Sequence, residues 1–186
     1  MKTLARLLRF SLPMKILLSI LGIFAVTVAF LLSTSNANPV EIGTEAPLIK
    51  AVDQDGKEVD LAEAYKKGLT LVYFYPKADT PGCTKQACSL RDAYEKLTDK
   101  GIQVFGVSAD KPEAQKAFKD KYKLPFTLLA DDTGEVIKAF GVPANRLGMA
   151  KRQAFLIKEG KIVWRSLEAS TEKQADDVLA ALADLK

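Results

Sequence analysis

The chain has two cysteines, Cys83 and Cys88, and no histidine among its 186 residues. Both thiols lie in one stretch, YFYPKADTPGCTKQACSLRDAYEKL, from Tyr73 to Leu97. A cysteine attacks as its thiolate, and an unperturbed thiol ionises only near pH ~8.5. Cys83 stands where an apolar run gives way to helical periodicity. At a helix N-terminus, unpaired backbone N–H groups and the helix dipole favour the thiolate. Pro81 restricts the lead-in, and Gly82 lets the backbone approach whatever Cys83 attacks. Thr80 brings a hydroxyl that both donates and accepts, which suits a small oxygen-rich substrate. The alternative, a cysteine packed as a small hydrophobe, fits the Thr-Pro-Gly lead-in less well. The missing histidine excludes a Ser-His or Cys-His hydrolase. Two cysteines alone cannot close the usual four-ligand zinc shell. Activation of Cys83 therefore falls to the helix terminus and a cation.

Cys88 lies five residues further on. In an intact α-helix such positions have Cα atoms roughly 8–9 Å apart, with side chains starting about 140° apart around the axis. A disulfide needs Cα atoms within about 7 Å. The two thiols can bond only if the first turns unwind. As a permanent staple the pair is poor, worth about 2 kcal/mol before strain. As a reversible pair it is coherent. One thiolate is oxidised to a sulfenic acid, the helix opens, and the second thiol condenses with it.

The surrounding elements explain how such a pair would be held. LTLVYFY (Leu69–Tyr75) is a continuous apolar, β-branched and aromatic run, as in a central strand covered on both faces. From Cys83 to about Asp99, Ala87, Leu90, Tyr94 and Leu97 recur at helical spacing. Upstream, an extended entry segment turns at Asp55-Gly56 and leads to a short helix from Leu61. Downstream come a strand (Ile102–Ser108), a polar helix (KPEAQKAFKDKY), a strand ending in a turn (FTLLADDTG) and a short helix stopped by Gly141. A hairpin (AFLIKEGKIVW) and an amphipathic helix from about Lys173 close the chain. This alternation predicts an α/β fold, with a central mixed β-sheet flanked by helices. It places Cys83 beyond the carboxyl end of a central strand, where open α/β sheets carry their sites. Arg91 and Asp92 read as helix-surface charge, with a part in orienting the active-site helix as the alternative, while Tyr73, Tyr75 and Trp164 read as packing residues.

Two regions are expected: an N-terminal signal peptide or membrane anchor over 1–37, and one domain over 38–186. The formal charge of +4 belongs to the first. Of 27 basic residues, Lys2, Arg6, Arg9 and Lys15 precede position 38, and the remaining 23 balance 23 acidic ones. The domain thus has no excess positive charge that would favour nucleic acid. The basic start precedes an uncharged, largely apolar run, Ile16–Leu32, and Ser35-Asn36-Ala37 fits a signal-peptidase site. The reading favours a cleaved secretion signal over an uncleaved anchor. In both cases the body is exported, to the periplasm or another extracytoplasmic compartment.

The segment YPKADTPGCTKQACSLRD resembles the active site of the peroxiredoxins, in the subfamily called bacterioferritin-comigratory protein or peroxiredoxin Q. The family pattern of Pro, Thr and Cys falls on Pro76, Thr80 and Cys83, and the Cys-x4-Cys spacing marks members whose two cysteines share a helix. Looser similarity runs over about 42–185. The resemblance implies a thioredoxin-like fold and a thiol-dependent peroxidase that reduces hydrogen peroxide and organic hydroperoxides. It implies that Cys83 is the peroxidatic nucleophile, Cys88 the resolving thiol, Thr80 a peroxide-binding hydroxyl and Pro76 a shield of the pocket. The family's arginine falls on Arg152, with Lys151 the alternative. The segment before it, VPANRLGMAK, is shorter than in many relatives. No cofactor or metal is implied. The implied partners are the hydroperoxide and a thioredoxin-like dithiol reductant, and internal resolution makes a monomer the expected state. Two other readings stay open: a thioredoxin-like thiol–disulfide oxidoreductase, which lacks its usual Cys-x-x-Cys, and a membrane-tethered, peroxide-responsive redox sensor.

Overall fold

In the computed structural model, which describes residues 38–185, every residue from Leu71 to Tyr75 is buried. The segment 1–37, read above as a targeting element, lies outside the described residues. The pleat of strand β3 (Leu69–Phe74) divides its side chains between two cores. Val72 and Phe74 join Phe105, Phe140 and Phe155 on one face. Leu71, Tyr73 and Tyr75 join Cys83, Leu90 and Leu128 on the other. The Tyr75 N–H still bonds Val107 O at 3.1 Å, which continues the ladder by one residue.

β3 pairs in parallel with β4 (Ile102–Ser108) and antiparallel with β6 (Gln153–Lys158). β5 (Thr127–Ala130) lies parallel on the far side of β4, and β7 (Lys161–Ser166) closes the opposite edge. The entry segment forms a hairpin, β1 (Lys50–Asp53) and β2 (Glu58–Asp60), whose first strand adds to β5. The result is a seven-stranded mixed sheet of order β2-β1-β5-β4-β3-β6-β7. The late hairpin turns on Glu159 and Gly160 at φ 51° and 78°, the paired left-handed conformations of a two-residue turn that matches strand twist.

Helices cover both faces. On the Val72–Phe74 side lie α1 (Leu61–Tyr65), whose start is capped by Asp60, and α5 (Glu135–Ala139). On the Tyr73–Tyr75 side lie α2 (Pro81–Asp92), α3 (Tyr94–Thr98), α4 (Pro112–Tyr122) and α6 (Gln174–Asp184). One long helix was expected from Cys83 to about Asp99. Two are found, because the backbone breaks at Ala93 (φ −103°, ψ 11°). The apolar spacing of three and four runs unchanged across that bend, so periodicity could not reveal it. The start also moves back to Pro81, whose fixed φ and missing N–H suit the first helical position.

The loop before α2 and the end of α2 are both tied to neighbouring segments. The Asp110 carboxylate accepts from the Ala78 N–H at 2.7 Å and from the Ser108 hydroxyl at 2.8 Å. Asp79 adopts a left-handed φ of 56°, and its carboxylate takes Lys121 Nζ and the Tyr122 hydroxyl, each at 2.7 Å. Arg91 Nη1 donates to Tyr122 O at 2.9 Å. Arg91 is thus more than surface charge, since the end of α4 braces α2 at both of its ends. Below the loop, the buried Tyr75 hydroxyl donates to Gln115 Oε1, and Gln115 Nε2 donates to Ser108 Oγ and Leu129 O. Burial pushes the Tyr75 phenol pKa far up, so it stays a neutral donor here.

Gly106 makes room beneath α2. It pairs with Tyr73 and Leu128, and a Cβ there would lie 2.7 Å from Tyr73 Cζ and 2.8 Å from Leu128 Cδ2. Gly106→Ala is expected to lower stability by about 1–3 kcal/mol in urea unfolding, from overpacking between two fixed strands. A loss below about 0.5 kcal/mol would show that the Tyr73 ring moves freely, against this packing.

Candidate active site

The thiol predicted to react stands in the first turn of α2, one position after Gly82. Thr80 occupies the N-cap position with an extended backbone (φ −94°, ψ 153°). Pro81 brings no N–H. The Gly82 and Cys83 amides precede the first intrahelical bond, from Thr84 N–H to Thr80 O at 2.8 Å. Two backbone donors are therefore left without an intrahelical acceptor at the start of the helix that carries Cys83. Cys83 is only 2% exposed, and its sulfur is walled below by the core of Tyr73, Tyr75 and Ala87.

The cation comes from another strand. Arg152, just before β6, donates through Nη2 to Cys83 Sγ at 3.4 Å. Through Nη1 it donates to Gln86 Oε1. Gln86 is fully buried, and its Nε2 donates to Gln174 Oε1 at 2.9 Å, a second fully buried amide at the start of α6. Arg152 makes no ion pair among the described residues, so its charge faces the sulfur uncancelled by a carboxylate. Lys151, the alternative cation, points elsewhere, exposed and 3.8 Å from Glu168. Gly82 leaves space for this contact. A Cβ there would lie 3.3 Å from Arg152 Nη2 and 3.6 Å from Thr171 Cγ2.

The Thr80 hydroxyl donates to Lys77 O at 3.0 Å. With that hydrogen committed, Thr80 Oγ1 has only lone pairs to offer a ligand. Pro76 follows β3 and lines an open cavity of about 380 Å³ with Pro143, Met149 and Lys151, a cavity whose lining includes neither Cys83 nor Arg152. Cys88 is half-buried on the same unbroken helix as Cys83, and both thiols are free. The structure thus brings Cys83 and Arg152 into contact, puts Thr80 at the N-cap of the same helix with no side-chain bond to Cys83, and keeps Cys88 apart by about 1.4 turns of helix. Under the helix, the hydroxyls of Tyr73 and Thr84 are buried without a partner.

Sequence reasoning missed Gln86 and Gln174. A signal was present for the first. Positions 83, 86, 87 and 90 share one helical face, and Gln86 is the one long polar side chain on it. Asp110 and Gln115 were also passed over, since their roles depend on long-range contacts.

Similarity to known proteins agrees with this geometry. The AhpC/TSA family matches residues 42–165. The chain is 42% identical over 150 residues to the chloroplastic Peroxiredoxin Q of Suaeda salsa, covering 78% of this chain and 69% of that protein. It is 43% identical over 149 residues to Peroxiredoxin Bcp of Escherichia coli (strain K12), covering 76% of this chain and 95% of that protein. The crystal structure of Peroxidoxin BcpB from Mycobacterium tuberculosis superposes with a TM-score of 0.74 at 32% identity, over 79% of this chain and 99% of that one. The fold is therefore the thioredoxin-like one of the peroxiredoxins, and the expected helix-flanked mixed sheet is what is found. The chain belongs to the AhpC/TSA family, beside the Q and Bcp peroxiredoxins, and is a thiol-dependent peroxidase.

Proposed function

We propose that Cys83 is the peroxidatic nucleophile and that Cys88 resolves it within the same chain. The observation that carries this reading is the Arg152 guanidinium at 3.4 Å from Cys83 Sγ, at the mouth of a helix N-terminus. The cation and the free amides favour negative charge on the sulfur and on the oxygens that meet it. The thiolate attacks the terminal oxygen of ROOH, the O–O bond breaks, and the departing RO⁻ takes a proton to leave as alcohol or water. Arg152 and the Gly82 and Cys83 amides donate to the oxygens as charge moves onto them. Thr80 accepts from the peroxide O–H, since its own hydrogen is held by Lys77 O. Pro76 screens the site from water.

Cys83 is then a sulfenic acid. Cys88 attacks it, water leaves, and a disulfide forms. For this, α2 unwinds from its start through Cys88. The segment is built for that event. Between Pro81 and Cys88 the side chains that leave the core are Cys83, Gln86 and Ala87, two small and one polar, so the Gln86 bonds to Arg152 and Gln174 are given up, while the large apolar anchor Leu90 follows the second cysteine. Little apolar burial is lost. The Thr84 hydroxyl, buried without a partner in the helix, regains water. A dithiol of the thioredoxin type then reduces the bond by exchange and becomes a disulfide itself. The shared helix makes a second subunit unnecessary, which supports a monomer. The basic start and apolar run of 1–37 support export, with cleavage after Ala37 favoured over a retained membrane tether.

Cys83→Ser is expected to abolish peroxide consumption. Cys88→Ser should react with its first peroxide at the parent rate, then hold Cys83 as sulfenic or more oxidised acid in intact-mass spectra. A Cys88→Ser protein that still turns over with a dithiol as the parent does would remove Cys88 from the cycle. For Thr80→Val, the second-order rate constant with hydrogen peroxide should fall about a hundredfold. A value within about twofold of the parent would take the hydroxyl out of the peroxide step. Mature protein isolated from its native cell should begin at Asn38 in an extracytoplasmic fraction, and recovery of the full chain from the cytoplasm would contradict export.

A further inference from the structure

We infer that Gln174, at the start of α6, is a positioning residue for peroxide reduction, acting through Gln86 on Arg152 and so on Cys83. The inference rests on the roles given above to Cys83 and Arg152. A guanidinium has donors and no acceptor. Gln86 can therefore meet Arg152 only with its carbonyl oxygen, as it does. That choice turns the Gln86 NH₂ the other way, into a fully buried space where it needs an acceptor. Gln174 Oε1 supplies one at 2.9 Å. If either amide turned over, two donors would face each other in a site closed to water.

Gln174 thus fixes which end of Gln86 faces the guanidinium. With Nη1 held there, Nη2 is left to face the sulfur. Successive bonds in such a chain polarise one another. The arrangement leaves the Gln174 NH₂ buried with no partner. That is an unfavourable feature which packing alone does not call for, and it follows directly from the need for an acceptor at this spot. The start of α6 is held on α2 by other contacts as well. Lys85 pairs with Glu172 at 2.7 Å, and Ser89 Oγ accepts the Ala175 N–H at 3.3 Å. The acceptor at 174 is therefore delivered to a fixed place, by an element 88 residues away from Gln86 in sequence.

The test uses the reduced full-length chain and the second-order rate constant for its oxidation by hydrogen peroxide. Gln174→Met keeps length and removes the acceptor, and the rate should fall about tenfold, the scale of one hydrogen bond supporting a charged group. Gln174→Glu keeps an acceptor oxygen for Gln86 and exchanges the unpartnered NH₂ for a carboxyl oxygen, so its rate should lie clearly above that of Gln174→Met. In an Arg152→Met background, adding Gln174→Met should change the rate by less than about twofold. Should the methionine variant not fold, Gln174→Asn, which keeps polarity and loses reach, takes its place with the same expectation. The inference is overturned if the acceptor-free variant reacts at the parent rate, if methionine and glutamate are equally slow, or if the loss is the same with and without Arg152. A parent chain that does not react with hydrogen peroxide overturns the assignment of Cys83, and this inference with it.

Discussion

Two thiols on one helix, too far apart to bond while that helix is whole, set the terms for the rest of this molecule. Helical geometry holds positions five apart at roughly 8–9 Å between Cα atoms. Pro81–Asp92 is a continuous helix with both cysteines free. In the proposed cycle, attack on peroxide uses the helix as it stands, where Arg152 meets Cys83. Resolution uses it undone. In that proposed cycle a conformational change keeps the two steps apart.

The fold serves both states. The bonds from Asp79, Asp110 and Arg91 fix the two ends of the segment, so that opening is confined between them. Within those limits the forces are small and opposed. Burial of Cys83 and Ala87 and the buried amides of Gln86 and Gln174 favour the closed helix. The unpartnered Thr84 hydroxyl favours opening. Each contribution is on the order of 1–3 kcal/mol, small enough for an equilibrium and large enough to bias it. A leucine in place of Ala87 would anchor the segment more firmly. Leu90, which does anchor it, lies past the second cysteine.

Much of this was legible in the sequence. The run at Leu69–Tyr75 marked a strand buried on both faces, and the glycine after Glu159 marked the late hairpin. Pro81 and Gly82 marked the start of a helix, although the first turn begins at the proline and not at the cysteine. Local periodicity could not show the bend at Ala93, since the spacing of apolar residues is the same on either side. Arg152 carried no local signal, and it was reached only through family resemblance. Gln86 and Gln174 were not reached at all. Their meaning lies in a contact between an active-site helix and the end of the chain, and a polar residue on an apolar face only announces that some such partner exists.

Hydrogen–deuterium exchange, compared between the reduced protein and the protein oxidised by one equivalent of peroxide, tests the central claim most directly. In the reduced state the amides of Thr84 to Asp92 should be protected, as in an intact helix. After oxidation, with the Cys83–Cys88 bond confirmed by peptide mapping, protection should be lost through Cys88 and kept in β3, β4 and β6. A Cys83–Cys88 bond formed with the helix amides as protected as before would contradict the account.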